Sequence, residues 1–252
     1  MKKTKFIIWA LALVIASTSC TTKHYAVKSV EGSRILMDSV WDAKPAKEMA
    51  AIVNLYKTKM DAQMNEVIGT AAQPMTKGYP QSLLTNFVAD AIRQYAANLW
   101  GEADFAVMNY GGIRTNMKGG AITVGDIFEI LPFENTLVML ELPGKAVGEL
   151  FDFYAFHGGQ GLSDNVELVV KDRKRVSLKI GGQPLDENRT YRVATIDYLA
   201  EGNDGMTALT EAVGKTESGI LLREAVIDYI KQLTAKNQLI NAKLDDRIKI
   251  EK

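Results

Sequence analysis

The sequence predicts an α/β (α+β) fold with mixed sheets. Apolar residues recur at three- and four-residue steps in the longest stretches, which is the period of helices that face a core. Shorter runs rich in β-branched residues and bounded by turn residues are typical of strands. Strands and helices alternate at first, whereas the strands of the second half follow one another closely and can pair locally.

The first twenty residues have the pattern of an export signal. A short basic start precedes an apolar run that is too short for a permanent membrane span, and small residues then lead to Cys20. Cys20 is the only cysteine, so the chain cannot form an internal disulfide. The pattern resembles a bacterial lipoprotein processing site and predicts a signal peptide over residues 1–20, lipid on Cys20 and a periplasm-facing membrane anchor. The alternative is an ordinary cleaved signal with an incidental cysteine.

Two helices are predicted next along the chain. Residues 21–39 are assigned to a tether with a short strand in "RILMDSV", and residues 40–68 to a helix. The apolar stripe of this helix consists of Ala50, Val53, Tyr56, Met60, Met64 and Val67. A second helix is predicted in "SLLTNFVADAIRQYAANLW", with a stripe of Leu84, Phe87, Val88, Ala91, Tyr95 and Leu99.

The later elements follow from the same patterns. A buried strand "DFAVMN", a short helix that stops near Pro132 and a strand "TLVMLEL" are followed by a third long helix in "KAVGELFDFYAF". Three strand-like runs come next, namely "NVELVV", "RVSLKI" and "YRVATIDYL". A fourth helix is predicted in "ILLREAVIDYIKQL", and "DDRIKIEK" closes the chain as a short strand.

The charge composition argues against nucleic acid as a partner. Lys plus Arg and Asp plus Glu each number 30, so the formal net charge is zero. We find no basic patch or tail of the kind that binds a phosphate backbone.

Three loops carry the candidate contact residues, and each follows an apolar element, so all three can meet at one end of a sheet. They are "NYGGIR", "PFENT" and "DYLAEGNDGM". Two aromatic side chains, Phe133 and Tyr198, suit a flat ring between them. The carboxylate of Asp204 suits two neighbouring sugar hydroxyls. Arg114 is the candidate for binding an anion. Asn109 and Asn135 are the candidates for hydrogen bonds to the edge of a base.

Each of these side chains also has a structural interpretation. Single aromatic residues are more often part of a core, and "GNDG" is more often a turn whose aspartate bonds its own backbone. Asn135 can cap the start of a strand, and Arg114 can simply be solvated. The case for a site rests on the set.

Four longer motifs carry a resemblance that covers roughly residues 60–250. They are "TNFVADAI", "ADFAVMNYGGIRTNMKGGAITVGDIFEILPFENTLVMLELPGKAV", "YRVATIDYLAEGNDG" and "REAVIDYI". In their order and spacing the chain resembles the C-terminal, substrate-binding domain of the secreted 5′-nucleotidase family, which includes UDP-sugar hydrolases and 2′,3′-cyclic phosphodiesterases. The resemblance implies a layered αββα domain over residues 69–252, preceded by a linker helix over residues 40–68.

The resemblance also implies roles for individual residues. The base-edge asparagine of the family corresponds to Asn109 and its arginine to Arg114. Its stacking aromatics correspond to Phe133 and Tyr198, and its ribose-binding aspartate to Asp204. One departure lies in "MTKGYPQSLLTNF", which lacks the usual arginine, so that Lys77 is the nearest cation.

Catalysis in the family needs an N-terminal domain with two metal ions, built from clustered His, Asp and Asn residues. This chain has only His24 and His157, so no metal cofactor is expected in it and divalent metals are expected only in a partner phosphatase. The leading hypothesis is a nucleotide-recognition module that acts with a separately encoded metallophosphatase. The alternatives are a stand-alone lipoprotein that binds nucleosides or nucleotides for uptake, and a degenerate domain with an interaction role only.

Overall fold

The computed structural model describes residues 25–43 and 46–251, and the chain divides at Ala50 into two compact units. The expected signal peptide and Cys20 lie outside the described residues. In the first unit, residues 25–38 form neither helix nor strand, and a 3-10 helix follows at Ser39–Ala43. The short strand expected in "RILMDSV" is therefore wrong. Among the described residues of this unit no second strand is available to pair with its backbone.

The described residues form six α-helices and eleven strands. The helices are α1 Lys47–Met64, α2 Leu83–Trp100, α3 Val124–Ile130, α4 Gly144–His157, α5 Asp197–Ala200 and α6 Leu222–Ala235. The strands are β1 Val67–Ala71, β2 Phe105–Met108, β3 Gly120–Thr123, β4 Thr136–Pro143, β5 Gly161–Leu162, β6 Val166–Lys171, β7 Lys174–Ile180, β8 Gln183–Pro184, β9 Thr190–Ile196, β10 Gly214–Leu221 and β11 Ile248–Glu251.

The strands form three sheets in the second unit. Strands β1 and β3 pair antiparallel, the five-stranded sheet has the order β10-β4-β9-β2-β5, and the four-stranded sheet has the order β11-β6-β7-β8. Both larger sheets are mixed, since β2 runs parallel to β9 and β11 runs parallel to β6 while their other pairs are antiparallel. The predicted α/β class with mixed sheets is confirmed.

Several element boundaries differ from the sequence predictions. The helix expected over residues 40–68 begins at Lys47, after the 3-10 helix Ser39–Ala43, and it ends at Met64 because the chain from Val67 onward pairs with β3. The end of "YRVATIDYL" turns into α5, and the fourth long helix begins at Leu222 because the residues before it form the edge strand β10. Helix α1 ends earlier than predicted and the fourth long helix begins later, because the adjoining residues pair with a distant strand. Strand β9 ends at Ile196, where its pairing with β4 ends.

Helix α2 packs on the five-stranded sheet, which is called the central sheet below. Its first turn is closed by a capping box in which Ser82 and Thr85 exchange side-chain and backbone hydrogen bonds. Its buried face, which includes Leu84, Phe87 and Ile92, packs on β2, β5, β4 and β9 and on α6. Helix α4 contacts strands of both larger sheets. Within the described part of the chain, no helix has the length and apolar character needed to cross a membrane.

Candidate functional site

Strand order brings the three predicted loops to one edge of the five-stranded sheet. Strand β9 runs parallel to β2 and antiparallel to β4, so the ends of β2 and β9 lie beside the start of β4. Asn109 directly follows β2, Tyr198 lies in α5 directly after β9, and Asn135 directly precedes β4. The hydroxyl of Thr136 donates to the carboxylate of Asp197 at 2.8 Å and so ties the start of β4 to the end of β9.

A cavity of about 260 Å³ opens at this edge, and all six predicted site residues line it. The lining consists of Asn109, Gly111, Gly112, Arg114, Phe133, Asn135, Tyr198 and Asp204. A largely preformed cavity with aromatic walls and a few convergent polar groups is the usual form of a small-molecule site. The structure thus brings the predicted residues together, while their roles in binding stay predictions.

The adjacent glycines of the first loop have different structural reasons. A Cβ on Gly112 would collide with the methyl group of Met108 and would lie 2.7 Å from Oδ1 of Asn109. A Cβ on Gly111 would lie 3.5 Å from the side chains of Asn109 and Asp204, which is an ordinary contact distance. Gly112 is therefore required for the position of Asn109, whereas Gly111 only keeps the floor of the cavity open.

Asp204 sits in a strained, exposed turn. Its φ of 54° lies in the left-handed region, and the neighbouring Gly202 and Gly205 also have positive φ values. One carboxylate oxygen accepts a hydrogen bond from Nδ2 of Asn109 at 2.6 Å, and the other accepts one from the hydroxyl of Tyr198 at 2.9 Å. The carboxylate keeps further lone pairs for a ligand, because it can accept about four hydrogen bonds.

The two aromatic side chains lining the cavity are exposed rather than part of the core. Phe133 is 46% exposed and Tyr198 is 38% exposed. The guanidinium of Arg114 lies 5.7 Å from the ring centroid of Phe133 and donates one hydrogen bond, at 3.3 Å, to the carbonyl of Gly111. Most of its five donors are thus unused by the described residues, and they suit an anionic oxygen.

The two asparagines differ in accessibility. Asn109 is 4% exposed, and its Oδ1 atom is buried with no hydrogen-bond partner among the described residues. Asn135 is half-buried and lines the cavity, and its backbone carbonyl accepts the N–H of Leu222 at 2.8 Å. The side chain of Asn135 is therefore the more available of the two amides.

A second aromatic group beside the first loop was not foreseen from the sequence. Tyr79 stacks on Tyr110 with 4.4 Å between ring centroids, and the amino group of Lys77 lies 4.4 Å from the Tyr110 centroid. The same amino group donates to the carbonyl of Ile113 at 2.5 Å. Burial and the nearby Arg114 lower the pKa of Lys77. Two sequence signals pointed to this region, namely Lys77 as the nearest cation in "MTKGYPQSLLTNF" and the adjacency of Tyr110 to Asn109, but neither predicted the stacked rings.

A family model described as "5'-nucleotidase, C-terminal domain" matches residues 67–211, more than half of the chain. The chain belongs to this family. All six predicted site residues lie within the matched range, and so do Lys77, Tyr79 and Tyr110.

Several proteins with similar sequences carry the same domain as part of a longer chain. Protein UshA of Yersinia enterocolitica is 31% identical over 181 residues, which are 70% of this chain and 32% of that protein. Protein UshA of Escherichia coli is 36% identical over 134 residues, 52% of this chain and 24% of that protein. The chain therefore spans about a quarter to a third of the length of these curated family members.

A solved structure supports the fold over a larger part of the chain. The 5'-nucleotidase precursor from Thermus thermophilus superimposes with a TM-score of 0.70 at 29% identity, covering 83% of this chain and 44% of that one. The family's domain fold thus extends beyond the matched range of residues 67–211.

Over residues 25–43 and 46–251, no group of three or more His, Cys, Asp or Glu side chains has an arrangement that could hold a metal ion. The expectation that this chain itself holds no metal cofactor stays a prediction.

Proposed function

We propose that the chain is the nucleotide- or nucleoside-recognition domain of a split phosphoester hydrolase system of the 5′-nucleotidase type. The observation that carries the proposal is that one and the same cavity is lined by all six predicted residues. The proteins with similar sequences include UshA proteins and 5'-nucleotidases, which agrees with a nucleotide ligand.

The chemistry of the lining matches the three parts of a nucleotide. A base inserts between the exposed rings of Phe133 and Tyr198, and the amide of Asn135 contacts its edge. The carboxylate of Asp204 accepts hydrogen bonds from sugar hydroxyls. Phosphate oxygens accept hydrogen bonds from the free donors of Arg114.

Calorimetric titration of adenosine tests the recognition step. Removing one stacking platform, in Phe133→Ala or Tyr198→Ala, should weaken binding roughly tenfold to a hundredfold, because one base face loses about 1–3 kcal/mol of stacking. Phe156→Ala is the matched control, since Phe156 is 53% exposed but does not line the cavity. Unchanged adenosine affinity in both platform variants, with correct folding, would reject the proposal.

The second part of the proposal is a separate metallophosphatase chain that supplies the divalent metals. Helix α1 has no buried residue, and four apolar side chains at helical spacing are more than half exposed. They are Ile52, Val53, Tyr56 and Met60. Exposed apolar surfaces of this kind commonly serve protein–protein contacts, and we assign this one to the phosphatase.

Two measurements test the split system. The purified chain alone should not hydrolyse AMP with added Mn²⁺ or Zn²⁺, and robust metal-dependent hydrolysis by it would contradict the proposal. A cognate exported phosphatase should co-purify with the wild type and with Thr58→Asp, an exposed position on the opposite side of α1, but not with Ile52→Asp/Tyr56→Asp, while all three chains bind adenosine equally.

We further propose that the chain is exported and held on a membrane by lipid at Cys20, facing the periplasm. The N-terminal sequence pattern supports export and lipidation. Two or more acyl chains on Cys20 would be enough for stable anchoring. Cys20→Ser should move the protein to the soluble fraction, and a variant that stays on the membrane would refute the anchor. A stand-alone binding lipoprotein is the second candidate function, favoured by a cavity whose lining is complete within this one chain.

A further inference from the structure

The carboxylate of Asp204 is held by two donors that come from different parts of the sheet edge. Asn109 follows the end of β2, and Tyr198 lies in α5 after β9. Their bonds reach different oxygens of the same carboxylate, at 2.6 Å and 2.9 Å. The arrangement is a continuous chain of hydrogen bonds, Asn109–Asp204–Tyr198, across the wall of the cavity.

The side chain of Asp204 is exposed, whereas the backbone of its turn is held in place. The turn combines a left-handed aspartate with two glycines of positive φ. A Cβ on Gly205 would lie 2.9 Å from the ring of Phe153, and Nδ2 of Asn203 donates to the carbonyl of Tyr198 at 2.8 Å. Among the described residues, the carboxylate itself is bonded by Asn109 and Tyr198, so these two hydrogen bonds restrain its rotamer.

We propose that Tyr198 has a second role besides stacking, in which its hydroxyl positions the Asp204 carboxylate to accept hydrogen bonds from the sugar of a nucleoside. This role rests on the proposed function of the cavity. Asn109 contributes from the buried side, where a Cβ on Gly112 would disturb it. The ring that contacts the base and the carboxylate that contacts the sugar are thereby one connected unit.

This connection predicts a distinct pattern of binding losses. Tyr198→Phe keeps the aromatic platform but removes the hydroxyl, so adenine should bind as before. Adenosine should bind roughly three- to tenfold more weakly, the size expected from losing one hydrogen bond. In an Asp204→Ala background the same substitution should have no further effect on adenosine, since the group that it positions is gone.

A matched control separates this role from a general effect of losing a phenol. The hydroxyl of Tyr95 also donates to a carboxylate, that of Asp228, at 3.3 Å, and neither residue lines the cavity. Tyr95→Phe should leave the affinities for adenosine and adenine unchanged.

A measurement without ligand tests the hydrogen bond itself. The bond to Asp204 raises the pKa of the Tyr198 phenol. Titration of ring-labelled tyrosine by NMR, with the Tyr198 signal identified by its loss in Tyr198→Phe, should show this pKa falling in Asp204→Asn. A pKa that does not change in Asp204→Asn would overturn the inference.

The binding results then distinguish the two levels of the proposal. If wild type binds adenosine and Tyr198→Phe binds it equally well, the positioning role is wrong and the proposed function stands. If wild type binds neither adenosine nor AMP, with the phosphatase present or absent, the proposed function fails and the positioning role fails with it. A selective loss of adenosine affinity, absent in the Asp204→Ala background, supports the role.

Discussion

Two arginines of the second unit differ in how many of their hydrogen-bond donors the protein itself uses. Arg247 is 2% exposed and uses its guanidinium in five hydrogen bonds to Asp90, Asp245 and the carbonyl of Leu162. Arg114 is exposed at the cavity and makes one hydrogen bond, at 3.3 Å. A guanidinium with all donors used holds elements together, whereas one with free donors is available to an anion.

The position of Arg247 explains its role. It directly precedes β11, while Asp90 lies in α2, so the cluster ties the end of the chain to the helix that covers the central sheet. Burial raises the pKa of Asp90 to about 6, although the hydrogen bonds and the positive charge of Arg247 act to lower it. Burial also acts to raise the pKa of Asp245, but the hydrogen bonds from Arg247 outweigh it and lower that pKa. At neutral pH the cluster is therefore an ionised structural clamp, and its groups are satisfied without a ligand.

The largest expected effect comes from a substitution that breaks this clamp. Arg247→Met should lower the free energy of unfolding by about 3–5 kcal/mol, because it leaves two carboxylates without their buried partner. Arg114→Met is the matched variant and should change the same quantity by no more than about 0.5 kcal/mol, as is usual at exposed positions. Urea unfolding of both variants measures the contrast, which equal losses would contradict.

The next effect compares the two glycines of the first loop. Gly112→Ala should destabilise the protein by about 1–3 kcal/mol, because the added methyl group meets Met108 and Asn109. Gly111→Ala should be nearly neutral in thermal unfolding, since its Cβ has room at ordinary contact distances. A similar melting temperature for both variants would show that Asn109 can move away at little cost.

The smallest expected effect concerns Arg114 as an anion ligand. Arg114→Met should weaken the binding of AMP roughly five- to thirtyfold, because about one charge-assisted hydrogen bond is lost. The affinity for adenosine should not change. Lys118→Met removes a cation paired with Asp126 away from the cavity lining and is the control for net charge. Calorimetry at two salt concentrations tests this, and equal losses for AMP and adenosine would exclude phosphate contact.

The grouping of the candidate residues around one cavity was largely predictable, because several of them lie next to the ends of strands that the sequence marks clearly. Asn109, Asn135 and Tyr198 each lie at the end of a well-patterned strand, and the pairing of β2, β4 and β9 places those ends together. The hydrogen bond between Tyr198 and Asp204 was not predictable. It depends on a left-handed turn whose geometry the sequence only suggests.

Distant partners account for the other differences. Met64 and Val67 continue the apolar stripe of a helix, and only the pairing with β3 more than fifty residues later makes Val67 part of a strand. From the sequence alone, Arg247 is only one of several charged residues in the predicted short strand "DDRIKIEK". Its burial appears only when Asp90, 157 residues away in sequence, is brought against it.

We propose that the cavity recognises the base and the sugar of a nucleoside through separate contacts. The most direct measurement is calorimetric titration of adenosine and adenine into the wild type and Asp204→Ala. Adenosine should bind about tenfold more weakly to the variant, because the sugar hydroxyls lose a charged acceptor, while adenine affinity should stay the same. Equal losses for both ligands, or no loss for adenosine in a correctly folded variant, would contradict the account.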